Sequence, residues 1–110
     1  NFIKFIISGF GSGRAVFGMG KAKGERRIME ALDRALNSRF LSLSIQGARG
    51  ILFNIAGLDD LSLAEVEETA GILRQKASPE AKIIFGAVRD RDLKPGEVKI
   101  TVLACGFPKE

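Results

Sequence analysis

The residues best equipped for chemistry in this 110-residue sequence are a glycine-rich basic stretch near its start, two pairs of aspartates and one cysteine. Gly9 to Gly24 (GFGSGRAVFGMGKAKG) has the composition of a phosphate loop, in which backbone amides and a lysine cradle an oxyanion. Its spacing completes neither familiar pattern. Gly9, Gly11 and Gly13 stand two apart where a dinucleotide fingerprint needs G-x-G-x-x-G. Gly20-Lys21 is followed by Ala22, and Ala15 rather than glycine stands five positions before Gly20, so the G-x-x-x-x-G-K-[ST] loop fails too. The glycines read instead as tight turns and close strand-to-helix approach, with a weak anion site left at Gly24, Lys21 and Lys23.

Histidine is absent, so general acid-base chemistry would rest on carboxylates. Asp59-Asp60 reads as the turn entering a helix, where acids suit the positive helix start, and Asp90/Asp92 as a polar turn. Cys105 ends a strand with no imidazole to activate it and reads as a small packed residue. One cysteine cannot close an internal disulfide, and the usual ligands for zinc or haem are lacking, which fits a cytosolic protein. The net charge of +4 is unevenly spread: residues 1–27 hold Lys4, Arg14, Lys21, Lys23, Arg26 and Arg27 against Glu25 alone. Such a cluster is either a solvated helix edge or a phosphate contact, and it opens one alternative function, a small basic nucleic-acid-binding α/β domain using Lys21, Lys23, Arg26 and Arg27. The aromatic residues do not help that alternative. All eight are Phe, most of them in apolar runs suited to a core rather than to stacking bases.

These residues need elements to hold them. The length suits one domain over 1–110, and the 45% hydrophobic and 27% charged fractions are those of a folded, water-soluble chain. No apolar run approaches the roughly 18 residues of a membrane span, and the apolar opening has no signal-peptide features. In 62–77 the positions Leu63, Val66, Ala70, Leu73 and Ala77 share one helical face; Ser62 and Glu65 form a capping box, and Ser78-Pro79 stops the helix. The stretch 25–36 shows a second stripe, Ile28, Met29, Leu32, Ala35 and Leu36, leaving Arg27, Glu30, Asp33 and Arg34 to water. Ala15 to Met19, Gly50 to Ile55 and Lys82 to Val88 suit buried strands.

From Val98 to Ala104 apolar and wetter residues alternate, as on an edge or near-edge strand, and the polar link 89–96 with Pro95-Gly96 predicts an antiparallel hairpin between the last two strands. The order β-α-β-α-β-β, with right-handed crossovers, predicts an α/β (α+β two-layer) domain: a four-stranded mixed sheet, its first three strands parallel and the fourth antiparallel. Residues 1–12 fit a short helix or a strand.

The ordered signatures carry a resemblance. Gly18-Met19-Gly20 and Gly24-Glu25 lead to the run Gly47 to Ile55 (GARGILFNI), and Gly57, Asp60-Leu61-Ser62-Leu63 and Glu65-Val66 follow it. Pro79-Glu80-Ala81, Ile83 to Val88 (IIFGAV) and Val102 to Phe107 (VLACGF) complete the series. From about residue 13 to 107 the chain resembles the C-terminal domain of FtsZ, the tubulin-like GTPase of bacterial cell division. The resemblance implies a four-stranded mixed sheet with helices, and a helix for the opening segment. It implies an N-terminal GTP-binding domain outside these residues, so that this chain has no cofactor of its own while the intact protein uses GTP and Mg²⁺.

The implied partners are other FtsZ subunits joined head to tail in a protofilament, the N-terminal GTP-binding domain and division-ring proteins. No specific nucleic acid and no membrane insertion are implied, and the location is the cytoplasm, at the division ring at midcell. The family's C-terminal domain lends a loop, N-x-D-F-A-D, whose aspartates polarise the water in the next subunit's nucleotide pocket. Counting back from Gly13 without gaps puts those aspartates on Asn1 and Lys4, with Phe2 retained; the other register puts them on Ile3 and Ile6. Asn1, Phe2 and Lys4 are thus candidate interface residues, and no carboxylate precedes Glu25 to serve as catalytic acid or base. Ala56 and Leu58 stand where the family usually has Thr and Gly.

Overall fold

A computed structural model describes residues 15–37 and 39–105. The opening segment, including Asn1, Phe2 and Lys4, lies outside the described residues. Four strands, β1 (Ala15–Lys23), β2 (Gly50–Gly57), β3 (Lys82–Arg89) and β4 (Glu97–Cys105), form one sheet in the order β1-β4-β2-β3. Three helices are present among the described residues, α1 (Arg27–Ala35), α2 (Arg39–Gly47) and α3 (Leu63–Lys76). β2 and β3 pair in parallel, and β4 pairs antiparallel with both β1 and β2, so β1, β2 and β3 run the same way as expected.

Two expectations about connectivity are corrected. The last two strands form no hairpin: β4 is an interior strand inserted between β1 and β2, and β3 is the far edge. Burial explains the placement. Val98, Ile100 and Val102 are fully buried, which suits a strand with neighbours on both sides, whereas most of β3 is exposed. The link from β3 to β4 therefore passes the end of β2, where Asp90 N donates to Gly57 O at 3.0 Å and Leu93 is buried. The second correction is α2, which the sequence pattern did not predict. Its LSLSIQ run alternates like a strand, yet Leu41 packs over Gly18 and Ile45 is fully buried.

The registers assign every strand residue to a face. Val16, Gly18, Gly20 and Ala22 lie level with Ala104, Val102, Ile100 and Val98, and these with Ile51, Phe53 and Ile55 of β2. This face meets the helices through Ile28, Leu32, Ala35, Ile45, Val66 and Leu73. α1 lies so close to β1 that a Cβ on Gly20 would stand 2.2 Å from the Ala31 carbonyl oxygen, and one on Gly18 2.0 Å from that of Ala35. Glycine here serves close approach of backbone to backbone, as the sequence suggested.

α3 starts at the predicted capping box: Glu65 N donates to Ser62 Oγ at 3.2 Å, and Ser62 N to Glu65 Oε1 at 3.1 Å. Its buried stripe is Val66, Thr69 and Leu73, with Thr69 Oγ1 donating to Glu65 O; Leu63, expected on that stripe, faces out.

Candidate functional site

Among the described residues no helix packs on the second face of the sheet. Cross-strand register lines up Phe17, Leu103, Leu52 and Ile84 in one row across all four strands. All four are apolar, with Phe17 67% and Ile84 38% exposed and the two between them half-buried. The next row is Met19, Thr101, Asn54 and Gly86, and the one after is Lys21, Lys99, Ala56 and Val88, where Ala56 is buried and Lys99 pairs with Asp90. Phe85 belongs to the helix-covered face by register but sits at the sheet edge, stacked on Phe53 with ring centroids 5.6 Å apart. Phe17 and Ile84, at the two ends of the row, are thus large apolar side chains left exposed.

On the opposite side a cationic clamp holds the helices in place. Arg27 was expected to face water; the structure buries it. Its Nε donates to Glu65 Oε2 at 2.6 Å and its Nη2 to Glu65 Oε1 at 2.7 Å, a two-pronged pair, while Nη1 reaches Asp60 Oδ2 at 3.0 Å and Nη2 the Asp60 carbonyl at 3.2 Å. The hydrogen bonds that Arg27 donates to Glu65 hold its guanidinium even more firmly protonated than usual, against the opposing effect of burial. Arg27 in turn keeps the Glu65 carboxyl below its ordinary range, helped by the Ser62 amide. Glu65 thus caps α3 and ties it to α1 at once. The sequence signal lay in two places read separately: a capping-box glutamate, and an arginine beside the first apolar residue of α1.

The other candidate residues scatter. Asp60 is drawn into the clamp, whereas Asp59 makes an exposed pair with Arg89 at 3.3 Å. Asp90 accepts from the Asp92 amide at 3.0 Å and from Lys99 Nζ at 3.2 Å, and these two donors lower its carboxyl's affinity for protons. Neither pair brings its two carboxylates to one reacting point. Cys105 is buried, its Sγ 3.6 Å from the Gly50 carbonyl, and burial pushes its thiol up. Gly24, at positive φ, turns the chain from β1 into α1.

The basic residues Lys21, Lys23, Arg26 and Arg27 do not form one patch. Arg27 is spent in the clamp, Arg26 leans on Met29 Sδ at 3.7 Å, and the two lysines lie on β1. Among the described residues no group of three His, Cys, Asp or Glu side chains is placed to hold a metal, and no helix is long and apolar enough to cross a membrane.

Comparison with known proteins decides the family. Residues 13–108 match the model of the FtsZ family C-terminal domain. This chain belongs to the FtsZ family. An empty FtsZ dimer structure from M. jannaschii is 32% identical, with a TM-score of 0.79, covering 94% of this chain and 30% of that one. A substituted FtsZ from the same organism is also 32% identical, with a TM-score of 0.81, covering 97% of this chain and 32% of that one. CetZ from Methanosaeta thermophila, 15% identical over 94% of this chain and 30% of its own, with a TM-score of 0.62, shares the fold. The chain therefore spans under a third of the FtsZ structures it matches. As an FtsZ C-terminal domain it belongs to a tubulin-like cell-division family, and the matched M. jannaschii FtsZ structure is a dimer.

Proposed function

We propose that this chain is the assembly domain of an FtsZ-like cell-division protein, contributing the longitudinal protofilament interface rather than acting as an autonomous enzyme. GTP and Mg²⁺ belong to the remainder of the intact protein, a separate GTP-binding domain, and the ring assembles in the cytoplasm at the division site. The observation that carries this reading is the apolar row Phe17, Leu103, Leu52 and Ile84 on an uncovered sheet face, in a chain that spans only 30–32% of the FtsZ structures it matches. The occupant of that face is the GTP-binding part of the same kind of subunit.

The residues of this chain then act by docking and orienting. The apolar row excludes water from the contact, and the clamp holds α1 and α3 on the sheet behind it. In the family the loop ahead of this sheet stimulates GTP hydrolysis in the next subunit. Here the acid positions fall on Asn1 and Lys4, and an amide or an ammonium cannot take a proton from water as a carboxylate does.

Mixing the chain with a separately produced FtsZ GTP-binding domain and GTP tests this. The two should form a complex, and turnover should stay at the level of the GTP-binding domain alone. The double variant F17D/I84D, checked for an unchanged melt, should weaken association roughly a hundredfold, from about 1.5 kcal/mol lost per side chain. Tight GTP binding by the chain unaided, or association indifferent to F17D/I84D, would overturn the reading.

A further inference from the structure

The edge strand β1 borders a cleft that the clamp does not use and that shares only Lys21 and Lys23 with the sheet face bearing the apolar row. The cleft is an open concavity of about 360 Å³, lined by cations from three separate elements: Lys21 and Lys23 from β1, Arg34 from α1 and Lys94 from the turn before β4. Two acids, Glu30 and Glu97, complete the rim, leaving an excess of positive charge. Among the described residues none of the four cations makes an ion pair. Arg34 is nonetheless held: its Nη1 donates to the Lys21 carbonyl, which keeps the guanidinium at the cleft with its other donors free. Glu97 accepts from the Lys94 amide at 3.1 Å, so it helps to fix the turn that carries Lys94. Lys21 and Lys23, two residues apart on one strand, project on the same side about 6.6 Å from each other.

We infer that this cleft is a binding site for a phosphate chain. Four cations against two acids leave an excess of positive charge around one concavity, which a multivalent anion sitting among them would balance. Their arrival from strand, helix and turn favours tetrahedral phosphate groups, which accept hydrogen bonds from several directions, over a planar carboxylate. Among the described residues the lining holds no aromatic side chain on which a base could stack, so a nucleoside attached to the phosphates adds no affinity. The cleft shares Lys21 with the third row of the sheet face, so it meets the proposed assembly surface at the β1 edge.

Inorganic tripolyphosphate is the probe, titrated into the full chain at low salt and followed by amide chemical shifts. Saturable binding in the millimolar range should move the amides of Lys21, Lys23, Arg34, Lys94 and Glu97 together, and matched sodium chloride should not reproduce it. K21Q/K23Q should weaken binding about tenfold and E30Q should strengthen it, while K82Q, on the opposite sheet edge, should change nothing. ATP and tripolyphosphate should bind alike, and citrate more weakly. Shifts spread over the whole basic surface, equal losses in K82Q and K21Q/K23Q, citrate binding as well as tripolyphosphate, or tighter binding of ATP would each overturn the assignment.

Discussion

Replacing Arg27 by methionine keeps the length of its stem and removes its charge, leaving Glu65 without its main partner. The two short bonds to Glu65, at 2.6 and 2.7 Å, join side chains only 8% and 22% exposed, so they are shielded from competing water. Stranding one member of a well-buried pair costs about 3–5 kcal/mol. Glu65 keeps the Ser62 amide and some solvent, and Asp60 is 47% exposed and adds little, so the expected loss is about 2–3 kcal/mol. For a domain of this size that lowers the melting temperature by about 10–15 °C.

Urea unfolding followed by circular dichroism measures the change directly, and R27K should lose about half as much because an ammonium cannot make the forked contact. A double-mutant cycle of R27M with E65Q should report a coupling above about 1 kcal/mol. An R27M protein within about 0.5 kcal/mol of the parent, or a cycle with no coupling, would refute the idea that this pair fastens α1 to α3.

Two further outcomes follow from the packing and the charges. Gly20→Ala would place its Cβ 2.2 Å from a helix carbonyl oxygen and 2.6 Å from the Ala35 nitrogen, so α1 must shift. The expected loss is about 1–3 kcal/mol by denaturation, and an unchanged midpoint would show that α1 rides freely on the sheet. The lowered proton affinity of Glu65 also makes stability depend on pH. With the folded value depressed, the unfolded chain binds more protons in acid, so the contribution is complete above the unfolded value, about 4.3, and fades as pH falls through the folded one. Melting between pH 3 and 7 should show that loss, smaller in R27M; identical profiles would sink the linkage.

Local signals in the chain were legible wherever one short stretch decided the outcome. Ser62 and Glu65 stand three apart and cap α3 as read, and the alternation at Val98, Ile100, Val102 and Ala104 does separate a buried face from a wetter one. α2 escaped because Leu41, Leu43 and Ile45 alternate with serines in a run without charge; only packing over Gly18 selects a helix there. Arg27 escaped because its partners lie 33 and 38 residues away, and periodicity within α1 says nothing about them.

The order of residues by itself determined the strands, the capped helix, the common direction of β1, β2 and β3 and the family, since each rests on nearest-neighbour chemistry or on an ordered series of signatures. The tertiary structure alone decided that β4 enters the middle of the sheet, that Phe17, Leu103, Leu52 and Ile84 form one row, and that Lys21, Lys23, Arg34 and Lys94 border one cleft. Those arrangements join residues far apart along the chain. Which of many possible neighbours each one meets is settled by how the whole core closes, a quantity that no local window contains.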